Sequence, residues 1–143
     1  MMLVVPPSGD VIAHCIRLEP EDELKTCLVD IASVIFARMP EDECSSLFMM
    51  TCVGSLRDVT LRLANASKHD GDTGGNEVKH WTNQRFEIVS LVGTFSRDGA
   101  CHLHLSISDA EGNTFGGHLI SGVVFTTAEI VMGSVQGGKS EFN

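Results

Sequence analysis

The sequence predicts a single mixed α/β domain of the α+β kind, one main helix packed on a sheet of short strands. Three observations predict it. The chain has 143 residues, 43% of them hydrophobic, enough for one real core and too few for a second domain. One stretch, Leu24 to Ile35, carries apolar residues at spacings of three and four, the helical period. From Leu47 onward the apolar residues instead alternate or run in short blocks between turn formers.

Taken in order, Val11–Leu18 is rich in β-branched and apolar residues and reads as a strand. Pro20 stands where a helix can begin, and Glu21, Asp22 and Glu23 would then place negative charge in its first turn. Leu24, Cys27, Leu28, Ile31 and Ile35 form one apolar face, Arg38 suits the opposite pole, and Pro40 closes the helix. Six further strands are expected at Leu47–Val53, Val59–Leu63, Phe86–Phe95, His102–Ser108, Thr114–Ser121 and Phe125–Ser134. The breakers between them are Gly54, Asn65–Asn76, Arg97-Asp98-Gly99, Asp109–Asn113 and Ser121-Gly122. Short connections imply mainly antiparallel neighbours. Lys68–Asn76 is polar and Gly-rich and reads as a mobile loop. Residues 1–10 and 136–143 are expected as tails around a domain spanning 11–135.

Charge narrows the function classes. Ten basic residues against nineteen acidic ones give a net charge of −9. Nucleic-acid binding depends on Lys and Arg neutralising phosphates, so direct binding is not expected, and the same holds for an anionic membrane surface. Met1–Val5 is apolar but is cut short by Pro6-Pro7, too short for a signal peptide. No apolar run approaches the roughly 18 residues of a membrane span. Cys15, Cys27, Cys44, Cys52 and Cys101 are odd in number and show no CxxC spacing. They read as reduced, mostly buried thiols of a cytoplasmic protein, not as a zinc site, with a nuclear location left open.

The run Cys101-His-Leu-His-Leu-Ser-Ile-Ser108 alternates strictly. In a strand Cys101, Leu103, Leu105 and Ile107 would face the core, and His102, His104, Ser106 and Ser108 the other side. Same-face neighbours lie about 7 Å apart along a strand. Two imidazoles at that spacing can converge on one ion through bonds of about 2.0–2.1 Å. Asp109-Ala-Glu-Gly-Asn113 suits a three-residue hairpin loop with Gly112 in the left-handed position. Counting outward, Asp109 faces Asn113, Ser108 faces Thr114, and His104 faces His118 on the same side of the sheet. A slip of one residue would turn His118 away. Gly116 and Gly117 leave room for a ligand or a neighbouring backbone. HxH alone is a weak signal; the third histidine in register makes a metal site the better reading. His69 is assigned to loop solvation, and His14 and His80 have no comparable partners.

Arg85-Phe-Glu-Ile-Val-Ser-Leu-Val-Gly-Thr-Phe95, the C-H-L-H-L-S-I-S-D-A-E-G-N run and Phe115-Gly-Gly-His-Leu-Ile-Ser-Gly122 resemble the PPC domain, the "plants and prokaryotes conserved" domain of unknown function. His14–Leu24 and Gly54–Leu63 resemble its earlier segments, so the likeness covers roughly Val11 to Ser134. The resemblance implies a curved, mainly antiparallel sheet of about seven strands packed by a helix, assembled as a homotrimer. Stand-alone prokaryotic members associate the corresponding histidines with a metal, usually zinc; by position these match His102, His104 and His118. In plants the domain follows AT-hooks in nuclear proteins and generally lacks the histidines. This chain keeps all three and has no Arg-Gly-Arg-Pro hook, so it resembles the stand-alone type.

Three readings follow. In the first, three neutral imidazoles hold zinc with an open fourth position, and any activity is that of a metal-dependent hydrolase or lyase on an unknown small molecule. Glu87, Asp109 and Glu129 are candidate bases or ligand-orienting groups, and Arg62 and Arg85 candidate anion-binding groups. The plainer alternatives make Asp109 a turn residue, and Glu87 and Glu129 buried partners of those arginines. In the second reading the chain is a metal-independent trimeric assembly module, with Val123–Met132, Phe48, Met49 and Met50 packing either across subunits or in the core. The third, a DNA-associated role, rests on family analogy alone. No nucleophilic motif or phosphate-binding glycine loop appears, and Gly71–Gly75 is flanked by acids.

Overall fold

Alternating apolar residues, many of them β-branched, make the strands, and a single apolar stripe makes the helix. A computed structural model describes residues 9–40, 46–65 and 75–136. The elements are β1 (Asp10–Leu18), α1 (Leu24–Ala37), β2 (Ser46–Arg62), β3 (Val78–Trp81), β4 (Phe86–Ser96), β5 (Cys101–Ser108) and β6 (Thr114–Gln136). Every pairing between these strands is antiparallel. Most of β2 runs along β6, and its other edge carries β4 and β3. β4 pairs with β5, and β5 pairs with the start of β6. The sheet therefore closes on itself through β2, β4, β5 and β6, with β1 along the far half of β6. The stripe Leu24, Leu28, Ala32 and Phe36 of α1 joins Leu47, Leu56, Leu61, Phe86, Leu103, Leu105, Ile107 and Leu119 in one core. Among the described residues, no helix is long and apolar enough to cross a membrane.

The described residues hold six strands, not about seven, and the difference has a physical cause. Leu47–Val53 and Val59–Leu63 belong to one strand, β2, and Thr114–Ser121 and Phe125–Ser134 belong to one strand, β6. Register shifts at Met49/Thr51, Gly54/Leu56, Leu56/Asp58 and Thr60/Leu61 absorb the bend without ending the ladder. Gly54, at φ 148°, sits where β6 crosses closely: a Cβ there would overlap the Thr127 carbonyl oxygen and lie 2.8 Å from Ala128 Cα. The glycine marks a close approach, not a strand end. β3 was not expected. It is four residues long and three of them are exposed, so it carries almost no periodic signal. Trp81 anchors it against Phe86 and Phe115, with ring centroids 6.0 and 5.5 Å away.

The helix also begins later than Pro20. Glu21, at φ 76°, and Asp22 form a turn tied to β6 through Glu21 N–H to Val124 O (3.0 Å) and Val124 N–H to Asp22 O (2.9 Å). Glu23 is the N-cap, accepting from Thr26 N–H at 2.7 Å, the Thr26 hydroxyl at 2.6 Å and Lys25 N–H at 3.4 Å. It also accepts from Gly122 N–H at 2.8 Å, so one carboxylate fastens the helix start to the sheet. Burial raises its pKa, but these donors outweigh burial and hold it below the ordinary 4.5. A depressed folded-state pKa means stability present above the unfolded value and lost as pH falls through the folded one. Glu23→Gln is expected to melt below wild type at neutral pH, with the gap closing in thermal scans as pH falls below the ordinary 4.5 and through the lower folded-state value. At the other end, the Arg97 guanidinium donates to Phe36 O (2.8 Å) and Pro40 O (3.0 Å) and lies over the Phe36 ring.

Cys15, Cys27, Cys52 and Cys101 are free thiols, but the expectation that most are buried fails. Only Cys52 among these four is buried, and burial pushes its thiol pKa to about 12. Cys15 is exposed because Val11, Ala13, Cys15 and Arg17 form the outward side of β1. Met49 is in the core and Met50 is exposed. Cys44, His69 and most of Lys68–Asn76 lie outside the described residues, as do most of both expected tails.

Candidate metal centre

The β5–β6 hairpin forms as its turn chemistry dictates. Asp109 accepts from Glu111 N–H (3.0 Å), Asn113 N–H (2.8 Å) and Asn113 Nδ2 (3.0 Å), bonds that lower its pKa. Gly112, at φ 83°, takes the left-handed position, and its N–H donates to Asp109 O at 3.0 Å. Ser108 then pairs with Thr114, and His104 with His118. Leu103, Leu105 and Ile107 are buried, while His102 and His104 are exposed on the other face.

The three imidazoles meet. His102 Nε2 and His104 Nε2 are 3.1 Å apart, and one ligating atom from each histidine lies within 4.8 Å of the other two. Ring centroids are 4.9, 5.2 and 5.6 Å apart. Two nitrogens bound tetrahedrally to one zinc ion lie about 3.3 Å apart, given bonds of about 2.0–2.1 Å. Small side-chain rotations would bring all three to that spacing. His118 is half-buried, and its Nδ1 is buried with no hydrogen-bond partner among the described residues. Burial first, then the charges of Arg62, His102, Lys25 and His104, lowers its pKa and favours the neutral imidazole that a metal requires. The donor set fits zinc.

One row of paired residues crosses the sheet through this site: Val92 on β4, His104 on β5, His118 on β6, Arg62 on β2 and Val78 on β3. Arg62 therefore stands beside His118. The crossing is close at Gly117, where a Cβ would come within 2.7 Å of Arg62 O. Of the two uses expected for this glycine, room for a neighbouring backbone is the one it serves.

The remaining candidates lie elsewhere. Arg85 stacks over the Phe125 ring at 4.4 Å, in a groove of about 340 Å³ shared with Glu87, Ser55, Ser108 and Asp109. Glu129 is on the far half of β6, 3.9 Å from Arg17. Glu87 and Glu129 are both exposed, so neither is a buried partner of Arg62 or Arg85. Asp109 is the turn residue. His14 Nε2 lies 3.0 Å from the Ser134 hydroxyl and His80 Nδ1 3.0 Å from the Thr60 hydroxyl, each with a structural partner. Lys25 was missed: its ammonium donates to Leu119 O at 3.4 Å, and its charge reaches His118 from α1. Nothing local in the sequence signals that contact between residues so far apart.

Comparison with known proteins agrees with this architecture. The chain is 38% identical over 127 residues to the bifunctional protein GlmU of a Synechococcus strain, covering 88% of this chain and 17% of that protein. It thus spans under one fifth of the length of the curated relative it matches. A hypothetical protein from Salmonella superposes with a TM-score of 0.74 at 29% identity, covering 92% of this chain and 83% of the other. The crystal structure of a plant- and prokaryote-conserved protein from Pyrococcus horikoshii gives a TM-score of 0.71 at 25% identity, covering 97% and 87%. The family model of the Plants and Prokaryotes Conserved (PCC) domain, the PPC domain, matches residues 7–136, and the chain belongs to this family.

Proposed function

We propose that this chain is a PPC domain that assembles as a homotrimer and holds one zinc ion per subunit at His102, His104 and His118. The observation that carries this is the convergence of three imidazoles, each offering a ligating nitrogen within 4.8 Å of the others, on an accessible sheet face. Bound zinc with an open position would supply Lewis-acid chemistry and a water acidic enough to ionise near neutral pH, the basis for a hydrolase or lyase. The protein's part is to fix the imidazoles through the hairpin register and to surround them with Arg62 and Lys25. Val53, Val89 and Val92 are more than half exposed on the described chain, apolar surface that trimerisation would cover. Free thiols favour a reducing, cytoplasmic setting.

A second reading, an assembly module without metal, is favoured by one finding: a relative carries this domain within a much longer bifunctional protein. Metal analysis of untagged protein, purified without added metal, separates the two. About one zinc per chain is expected, lost in the His102→Ala/His104→Ala double variant. Metal-free wild type with unchanged metal affinity in the variant would sink the site. Light scattering is expected to report about three chains per particle. A DNA duplex titrated at low salt is expected to show no binding, given the charge of −9.

A further inference from the structure

We propose that Arg62, assisted by Lys25, recruits an oxyanion, the carboxylate or phosphate group of a small-molecule ligand, to the open position of an ion at the histidine triad. This rests on the metal reading above. The first ground is placement. Arg62 and His118 are direct partners on antiparallel strands, and such partners share a face with Cβ atoms about 4.5–5.5 Å apart. The burial pattern agrees: Leu61 and Leu119, the adjacent pair, are both in the core, while Arg62 is exposed. Arg62 O lies so close to β6 that a Cβ at position 117 would come within 2.7 Å of it, so the two strands are drawn together at the site.

The second ground is what Arg62 lacks. Among the described residues, four of the five other arginines have partners: Arg17 with Glu19 and Glu129, Arg57 with Glu21 and Asp58, Arg97 with helix carbonyls, and Arg85 with the Phe125 ring; the exception is Arg38, just past the C-terminal end of α1, the end opposite Lys25. Arg62 forms no ion pair or side-chain hydrogen bond among the described residues, although the chain has nineteen acids to ten basic residues.

The third ground is charge balance. Arg62 is the register partner of His118, and the Lys25 ammonium donates to Leu119 O, one residue along from His118, at 3.4 Å. Three neutral imidazoles cancel none of the charge of a divalent ion. An ion there would sit beside a guanidinium and an ammonium, an arrangement an oxyanion completes. Guanidinium forks suit carboxylate and phosphate alike, and an oxygen of either can enter the coordination of zinc.

The test uses full-length protein loaded with cobalt(II), whose visible spectrum reports both metal uptake and changes in its ligands. Inorganic phosphate and acetate are titrated separately, with calorimetry in parallel. At least one is expected to shift the spectrum saturably, and the comparison of the two identifies the preferred oxyanion. Arg62→Gln is expected to weaken that binding about tenfold or more, as loss of a charge-assisted contact does. Its anion-free cobalt affinity is expected to be no weaker than wild type, since removing a neighbouring positive charge does not oppose cation binding. Arg62→Lys should fall between, keeping the charge without the fork, and Arg85→Gln should match wild type. Equal anion affinity in Arg62→Gln and wild type would overturn the proposal, as would cobalt protein whose spectrum neither anion alters into the millimolar range. Wild type that takes up no cobalt would overturn the metal reading, and this inference with it.

Discussion

His104→Ala is expected to cut zinc affinity by at least about 100-fold, more than the 10–100-fold typical of losing a group that merely orients a ligand. His104 is the hinge of the site. It lies within 3.1 Å of His102 through Nε2, and it is the register partner of His118. Without it, the remaining imidazoles sit on different strands and offer only two bonds. His104 is exposed and contributes nothing to the core, so the metal-free variant is expected to melt within about 2 °C of wild type, as surface substitutions do. Zinc, in contrast, should raise the wild-type midpoint, since a ligand at about 100 times its Kd adds about 2.7 kcal/mol. The variant should show no such gain at the same concentration. Competition against a chromophoric chelator and scanning calorimetry with and without zinc check both halves. A variant that binds zinc as wild type does would remove His104 from the ligand set.

Gly54→Ala is expected to destabilise the fold by about 3 kcal/mol or more, a midpoint drop on the order of 10 °C. Two costs combine. At φ 148° the backbone is one that side-chain-bearing residues rarely adopt, and the new Cβ would overlap the Thr127 carbonyl oxygen. Both atoms in the collision belong to backbone or nearly so, and neither can swing aside as a flexible side chain could. Relief requires β2 and β6 to separate, and those strands close the sheet. Gly99→Ala supplies the comparison: its φ is also positive, at 89°, but nothing lies within 4 Å of the added carbon. It should therefore cost only the backbone strain, about 1–2 kcal/mol. Equal melting of the two variants would show that the crossing at Gly54 is looser than its geometry indicates.

Much of this was legible from local pattern. The hairpin register needed only the alternation of Cys101–Ser108 and the turn residues Asp109 to Asn113, information contained in adjacent positions. The α1 stripe was equally local. Breaks in β2 and β6 were misread because Gly54 and Gly122 look like turn formers, whereas their role depends on strands distant in sequence. A Cβ on Gly122 would meet Leu56, at 3.3 Å. The acidic trio was misplaced for a related reason: Glu21 and Asp22 bond to Val124 across the fold and so cannot enter the helix. Arg62 was visible as a candidate, but not its position beside His118, because nothing local reveals that β2 pairs with β6. Arg85, Glu87 and Glu129 carried the same chemical promise, and the topology placed them elsewhere.

The two parts of the site also belong to different stages of folding. His102, His104 and His118 all lie on one hairpin closed by a three-residue loop, and hairpins of this kind form in about 1–10 μs. Arg62 arrives only when β2 docks, a pairing between segments far apart in the chain and correspondingly slow to close. An ion captured by the imidazoles would therefore clamp the hairpin before the sheet is complete and accelerate refolding, if that hairpin belongs to the nucleus. Arg62, formed late, would leave the refolding rate untouched.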